Sequence, residues 1–250
     1  MPYRTLDLDE VASYLHLSHA DIERLLKSQE IPCEKHGSRL VFRKLDIDSW
    51  ASKRILGLEG KHLTDYHQRS SRATQEIFRR QALLPERLLP GFVDSALPAK
   101  TKASALRAMA MLAGKTGRVY DQETLLAGLK AREELCSTGV PGGLALLHPR
   151  HPEPYLFESP FIVLGRTLQE IPFGSPDGGP TDLFFLIGCP DERMHLHILA
   201  RLCLMAQKTE VLAELRQAST SDVMYEVMIN SELAILETLP GLGHVSLPRQ

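Results

Sequence analysis

His148 follows a short apolar stretch, and its neighbours have the chemistry of a phosphoryl-transfer site. The segment Arg132–Arg150 leaves a predicted helix, crosses a loop rich in Ser, Thr, Gly and Pro, and enters the predicted strand Leu144–Leu147. A neutral imidazole can offer one nitrogen lone pair to phosphorus while an acceptor holds its other nitrogen. Arg132 and Arg150 could bind phosphoryl oxygens, because guanidinium groups pair bidentately with phosphate. These residues predict a phosphohistidine site at His148.

A second histidine, His195, lies in the first turn of a helix predicted to begin near Asp191. The N–H groups and the dipole at a helix N-terminus favour a bound anion. His197 follows two residues later and points about 200° around the helix. We therefore expect His195, but not His197, beside the phosphoryl group.

Other chemistries can be built from the same residues, with less support. A metal site made of His148, His151, His195 and His197 lacks a carboxylate or thiolate at typical spacing. A hydrolase using Ser137 and His148 lacks the nucleophile-elbow pattern G-x-S-x-G. A single histidine at a strand end is more often structural or exposed, so the interpretation depends on the whole set. We expect no metal and no other cofactor.

Composition and cysteine usage indicate an ordinary globular protein, with 43% hydrophobic and 24% charged residues and a net charge of −2. No apolar run is long enough to span a bilayer, and the first residues lack the basic-then-apolar pattern of a signal peptide. The four cysteines contain no C-x-x-C pair, which argues against a disulfide framework or a zinc ribbon. A cytoplasmic protein without a membrane span is expected.

Residues 83–238 alternate helical periodicity with short, continuous apolar runs. Continuous apolar strands are typical of a sheet covered on both faces, so we predict a three-layer α/β/α domain with a mixed sheet. The predicted helices are Lys102–Ala113, Asp121–Glu134, Glu192–Gln207, Thr209–Ala218 and Ser221–Glu237. The predicted strands are Leu144–Leu147, Pro160–Arg166 and Thr181–Gly188.

Residues 1–57 predict a small, mainly helical domain. Asp7 and Ser18 can cap two successive helices, a hairpin follows over Cys33–Phe42, and Asp46 starts a third helix. Residues 58–82 are polar and mildly basic, so we expect an exposed helix or a flexible linker, with a dimerisation helix as the alternative. Residues 239–250 are expected to form a flexible tail.

The segments LDLDEVASYLHLSHADIERLLKSQEIP and GSRLVFRKLDIDSW resemble excisionase/MerR-like winged helix-turn-helix modules over Tyr3–Ile55. The resemblance implies that the second helix enters the major groove and that the wing lies on the DNA backbone. The candidate contacts are His19, Arg24, Lys27, Arg39, Arg43 and Lys44. Residues 1–57 hold nine basic and nine acidic side chains, so a protein-binding module remains an alternative.

The region from Leu83 to Ile235 resembles the enzyme IIA domain of the phosphoenolpyruvate:sugar phosphotransferase system, in its fructose/mannitol/nitrogen-regulatory branch. The resemblance rests on REELCSTGVPGGLALLHPR, IPFGSPDGGPTDLFFLIGCPD and HLHILARL. It implies that His148 accepts a phosphoryl group from phospho-HPr, with Arg132 as the active-site arginine and His195 as the second histidine. Leu147 replaces the proline usual before the histidine. The phosphate-contacting loop is predicted to contain Ser137, Thr138, Gly139 and Arg150.

Together these features predict a regulatory phosphocarrier, a phosphotransferase component with a phosphohistidine intermediate. Its partners would be HPr or the nitrogen-branch paralogue of HPr, together with DNA or a regulated protein bound by the N-terminal module. The alternative is a transcription-regulator-like binding protein whose IIA domain is only a sensory input or is no longer phosphorylated.

Overall fold

The N-terminal part of the chain forms a helix-turn-helix with a small antiparallel sheet. The computed structural model describes residues 5–37, 39–73, 82–149 and 155–238. The first elements are β1 (Thr5–Leu6), α1 (Leu8–Leu15), α2 (His19–Lys27), β2 (Glu34–His36), β3 (Arg39–Arg43) and α3 (Lys44–Leu56). Strand β3 lies between β1 and β2 and pairs antiparallel with both. This order confirms the predicted winged helix-turn-helix arrangement.

Side-chain caps fix the first two helices. The Asp7 carboxylate accepts from Glu10 N at 2.8 Å, and the Ser18 hydroxyl accepts from Asp21 N at 3.2 Å. Both caps are reciprocal capping boxes, where the sequence predicts a cap at Asp7 and a capping box at Ser18. Helix α3 begins at Lys44 and not at Asp46, because β3 runs directly into the helix without a side-chain cap.

The segment after α3 is a packed helix, α4 (Gly60–Ala73). The expectation of an exposed helix or flexible linker is wrong for these residues, since Leu63, His67 and Ser70 lie on one buried face. That face packs against the helix Glu192–Lys208 of the larger domain. Two of the three residues are polar, so the sequence shows only a weak apolar stripe there.

The larger domain surrounds a five-stranded mixed sheet. Its elements are α5 (Leu84–Arg87), β4 (Val93–Leu97), α6 (Lys102–Gly114), α7 (Gln122–Leu135), β5 (Gly139–Val140), β6 (Leu144–Leu147), β7 (Phe161–Ile171), β8 (Thr181–Gly188), α8 (Glu192–Lys208), α9 (Val211–Gln217) and α10 (Ser221–Thr238). The strand order is β4-β7-β8-β6-β5, with β4/β7 and β6/β8 parallel and the other pairs antiparallel. Consecutive residues of β6 and β8 are buried, as expected for a sheet covered on both faces. The predicted α/β domain with a mixed sheet is confirmed.

The parallel pairing of β6 and β8 positions the candidate site. Leu147 pairs with Leu186, so both strands end at the same edge of the sheet. His148 follows β6 at this edge, and α8 begins there soon after β8.

No helix in the described part of the chain is long and apolar enough to cross a membrane. The predicted tail, 239–250, lies outside the described residues.

A fully buried ion pair joins α8 to α10 and to the start of the larger domain. Arg201 Nη1 donates to Glu232 Oε1 at 2.6 Å, and the backbone N–H groups of Leu83 and Leu84 donate to the same carboxylate at 2.8 and 2.9 Å. Arg201 Nε donates to His67 Nε2 at 2.8 Å, which ties α4 to the pair.

Replacing Glu232 by Gln should strongly destabilise the fold. The variant keeps the side-chain shape but leaves the buried Arg201 charge uncompensated, which costs about 3–5 kcal/mol. Urea unfolding measures the change in the free energy of unfolding. Glu226→Gln, at an exposed position of the same helix, should change it by less than about 0.5 kcal/mol. An equally small effect for both variants would contradict the structural role of the pair.

Candidate active site

The His148 imidazole is held in one tautomer. Its Nδ1 lies 3.0 Å from the carbonyl oxygen of Leu146, and a carbonyl can only accept, so Nδ1 carries the proton and donates. The Nε2 atom therefore keeps its lone pair. The residue is only 4% exposed. An imidazole held in this way can act as a nucleophile through Nε2.

Arg132, in the last turn of α7, approaches this lone pair directly. Its Nε donates to His148 Nε2 at 3.0 Å, and its Nη1 donates to the Cys136 carbonyl at 2.9 Å. The Nη2 group is buried and has no hydrogen-bond partner among the described residues. A buried N–H without a partner costs about 1–3 kcal/mol. A phosphoryl oxygen bound beside His148 Nε2 could accept a hydrogen bond from this Nη2 group.

His195 completes the cluster from the first turn of α8. Its ring centroid lies 4.8 Å from that of His148, with the planes inclined by 52°. The Asp191 carboxylate caps α8 by accepting from Met194 N at 2.7 Å, so one N–H at this helix terminus is already engaged. His197 points elsewhere, as predicted, and stacks on His67 at 4.9 Å.

Both site histidines are neutral at neutral pH. Burial lowers the pKa of His148 well below its ordinary value, and the nearby His195 and Arg132 lower it further. Burial, with a smaller contribution from Arg132, lowers the pKa of His195 to about 4. A neutral imidazole is the nucleophilic form, so the electrostatics agree with the tautomer.

Helices α1 and α3 of the N-terminal domain lie over the cluster. The space between the domains is a cavity of about 30 Å³, lined on one side by His148, His195 and Arg132. The opposite side is lined by Tyr14, Asp48, Ser49 and Ser52. A cavity of this volume holds about one or two water molecules. This contact between the two domains was not predicted from the sequence.

A polar cluster of Tyr14, Lys44, Asp48 and Glu192 lies beside the cavity, and three of its members line it. The Tyr14 hydroxyl lies 2.7 Å from Asp48 Oδ1 and 2.9 Å from Glu192 Oε2, and with a single proton it donates to one of them at a time. The Lys44 ammonium donates to Asp48 Oδ2 at 3.1 Å and forms an ion pair with Glu192. Burial raises the pKa of Asp48. Glu192 comes from the larger domain, so the cluster joins the two domains.

The predicted phosphate-contacting loop lies outside this cavity. The Thr138 amide and hydroxyl donate to the Glu133 carboxylate at 3.0 and 2.6 Å. The Ser137 hydroxyl donates to the Phe173 carbonyl at 3.2 Å and accepts from Gly139 N at 3.1 Å. These bonds hold the loop between α7 and β6, so its contact with a phosphoryl group stays a prediction. Arg150 and His151 lie outside the described residues.

The predicted DNA contacts fall into two groups. His19, Arg24, Lys27, Arg39 and Arg43 are exposed. Three of them have acidic neighbours, since His19 pairs with Asp9, Arg24 with Asp21 and Arg43 with Glu34. Lys44 is different, because its side chain is 17% exposed and is engaged in the polar cluster. It is therefore unavailable to DNA while the two domains are in contact.

Two family models match separate parts of the chain. A model described as phosphoenolpyruvate-dependent sugar phosphotransferase system, EIIA 2, matches residues 88–231. A model described as a helix-turn-helix domain matches residues 5–55. These matches confirm both resemblances predicted from the sequence.

Individual relatives match slightly more than half of the chain. The chain is 29% identical over 149 residues to a nitrogen regulatory protein of Pseudomonas aeruginosa, covering 59% of this chain and 95% of that protein. It is 31% identical over 147 residues to one of Bradyrhizobium diazoefficiens, covering 58% and 90%. The crystal structure of nitrogen regulatory protein IIA-Ntr from Neisseria meningitidis aligns with a TM-score of 0.53 at 23% identity, over 59% of this chain and 99% of that one. At that identity the likeness supports the fold alone.

The protonation of His148 can be tested by nitrogen-15 NMR without any partner protein. We expect a proton on Nδ1, none on Nε2, and a neutral ring at pH 6.5, the ordinary midpoint of histidine. His195 should titrate near pH 4. A proton on Nε2, or half-protonation of His148 at pH 6.5, would contradict the assignment.

The same pKa shifts predict how stability depends on pH. Between about pH 6.5 and 4 the unfolded His195 binds a proton that the folded one does not, so the free energy of unfolding should fall as the solution is acidified across this range. Urea denaturation at successive pH values measures this slope. In the urea-unfolded chain the pKa of His195 should be about 6.5. A free energy of unfolding that rises as the pH is lowered across this range would contradict the prediction.

Proposed function

This chain belongs to the phosphoenolpyruvate-dependent sugar phosphotransferase system EIIA 2 family, and we propose that it is a regulatory phosphocarrier that accepts a phosphoryl group on Nε2 of His148. The observation that carries the proposal is the contact between Arg132 and His148. The lone pair of Nε2 faces a buried guanidinium that has an N–H without a partner among the described residues. The donor we propose is phospho-HPr or its nitrogen-branch paralogue, in keeping with the named nitrogen regulatory relatives.

In the proposed step the Nε2 lone pair forms a bond to phosphorus as the phosphorus–nitrogen bond of the donor phosphohistidine breaks. The donor imidazole leaves with that electron pair. Charge spreads over the three phosphoryl oxygens in a loose transition state, so positioning and cationic stabilisation supply most of the catalysis. Arg132 Nε–H, which now bonds Nε2, and the free Nη2–H would turn to these oxygens. The proton stays on Nδ1 throughout, and Nδ1 keeps donating to the Leu146 carbonyl.

The N-terminal domain makes DNA binding a second candidate function, coupled to the first. Its support is the helix-turn-helix match and the exposure of α2 and the wing on the outer side of the domain. The acidic partners of His19, Arg24 and Arg43 weaken any attraction to phosphates. A protein target recognised by the same surface is the competing interpretation.

Phosphotransfer from phosphoenolpyruvate, enzyme I and HPr tests the acceptor. His148→Ala should abolish labelling, and Arg132→Lys should slow it by about 100-fold, because a preorganised bidentate donor is lost. Rapid-quench labelling with mass spectrometry measures both. His62→Ala, at an exposed histidine of α4, should label at the wild-type rate. Full labelling of His148→Ala, or none of the wild type, would refute the proposal.

Electrophoretic shift on genomic DNA fragments tests the second function. If the wing contacts phosphates, the double variant Arg39→Ala/Arg43→Ala should bind more weakly at low salt, and the logarithmic salt slope should decrease by about two. The matched control Lys115→Ala/Lys130→Ala removes two exposed charges from the larger domain and should bind normally. Absence of any wild-type binding at low salt would indicate a protein-contact domain.

A further inference from the structure

The N-terminal domain occupies the face through which a phosphoryl donor must reach His148. In-line transfer places the donor imidazole on the far side of phosphorus from Nε2, so a side chain of the donor protein has to enter the site. The cavity above His148 has a volume of only about 30 Å³, and its outer wall is made of Tyr14, Asp48, Ser49 and Ser52. An imidazole cannot enter this space. The docked domain and the donor protein therefore exclude one another.

Several contacts hold the domain in this position. The polar cluster links α1 and α3 to Glu192 at the start of α8 through the Tyr14 hydroxyl and the Lys44 ammonium. Helices α3 and α4 both pack on α8. Gln207 adds two hydrogen bonds to the connection between them, accepting from Gly60 N at 3.2 Å and donating to the Leu58 carbonyl at 2.9 Å. Asp48 is 8% exposed although it is a carboxylate, as expected for a group buried by a specific contact.

The charges around the cavity show which state of His148 suits the docked form. Asp48 and Glu192 both line it and share the Lys44 ammonium as a cationic partner, and Arg132 is the cationic side chain that lines the cavity among the described residues. Phosphorylation would add about −1.5 to −2 charges at this point. It would also add four heavy atoms to a space that holds about one or two waters. Both changes oppose docking.

We propose that the acceptor face of the larger domain is an intramolecular docking surface for the α1–α3 face of the N-terminal domain, which shields unphosphorylated His148 and is released when His148 is phosphorylated. The release step rests on the proposed function, whereas the docking step does not. The larger domain would thus transmit its phosphorylation state as the presence or absence of a bound N-terminal domain. Undocking also releases Lys44 from Glu192, while its contact with Asp48 lies within the N-terminal domain.

Docking can be tested with diethyl pyrocarbonate, which acylates accessible imidazole nitrogens, followed by peptide mass spectrometry of the full chain. Ser52→Trp places an indole in the docking contact and should raise the modification rate of His148 at least about tenfold, if closed molecules outnumber open ones by about ten to one. Tyr14→Phe removes only the bridging hydroxyl and should give a smaller increase. Ser28→Trp, exposed on the same domain away from the cavity, should leave the rate unchanged.

The outcomes separate the two proposals. If His148 is modified as fast in the wild type as in folded Ser52→Trp and Tyr14→Phe, docking is refuted whether or not phosphotransfer occurs. If the rates differ but neither protein accepts a phosphoryl group, docking stands and the proposed function fails.

Release is tested by hydrogen exchange over residues 44–56 in the chain before and after phosphorylation by HPr. Faster exchange of this segment in the phosphorylated chain supports release. Unchanged exchange in a fully phosphorylated chain would overturn it. The Ser52→Trp variant, already open, should show fast exchange in both states.

Discussion

The candidate site depends on one hydrogen-bonded chain, from the Leu146 carbonyl through the His148 ring to the Arg132 guanidinium. A carbonyl on one side fixes the proton at Nδ1, and an arginine on the other side selects Nε2 as the nitrogen with the lone pair. Burial keeps the ring neutral beside a permanent cation. Each partner requires a different element, namely the last residues of β6 and the last turn of α7. The loop between them, tied by Thr138 to Glu133, therefore has a structural task at the site.

The sheet topology explains why the second histidine joins this chain and why the N-terminal domain can cover it. Because β6 and β8 are parallel neighbours, His148 and the first turn of α8 lie at the same edge. The same helix start presents Glu192 outward, where Tyr14 and Lys44 bind it. One helix terminus thus contributes both to the histidine cluster and to the contact between domains. A change of charge at His148 would therefore act electrostatically on the contact between the domains, because His148 and Glu192 line the same cavity.

Much of this could be predicted from the sequence because the relevant signals are local. Apolar runs located β6 and β8 with their observed bounds, and the capping residues Asp7 and Ser18 located the first two helices. The missed features depend on tertiary contacts. Helix α4 buries polar residues that carry no apolar signal, such as His67, which is stabilised by Arg201. The docking of α1 and α3 on the site depends on a hydroxyl, an ammonium and two carboxylates far apart in the chain, a pattern that periodicity cannot reveal.

The central claim is that Nε2 of His148 is the phosphoryl acceptor, and NMR of the phosphorylated chain tests it most directly. Phosphorus-31 and nitrogen-15 spectra distinguish a phosphoryl group on Nε2 from one on Nδ1, and alkaline peptide mapping identifies the residue that carries it. We predict a single acid-labile phosphoryl group on His148, bonded to Nε2, with Nδ1 still protonated. A phosphoryl group on Nδ1, or on any other residue, would contradict it.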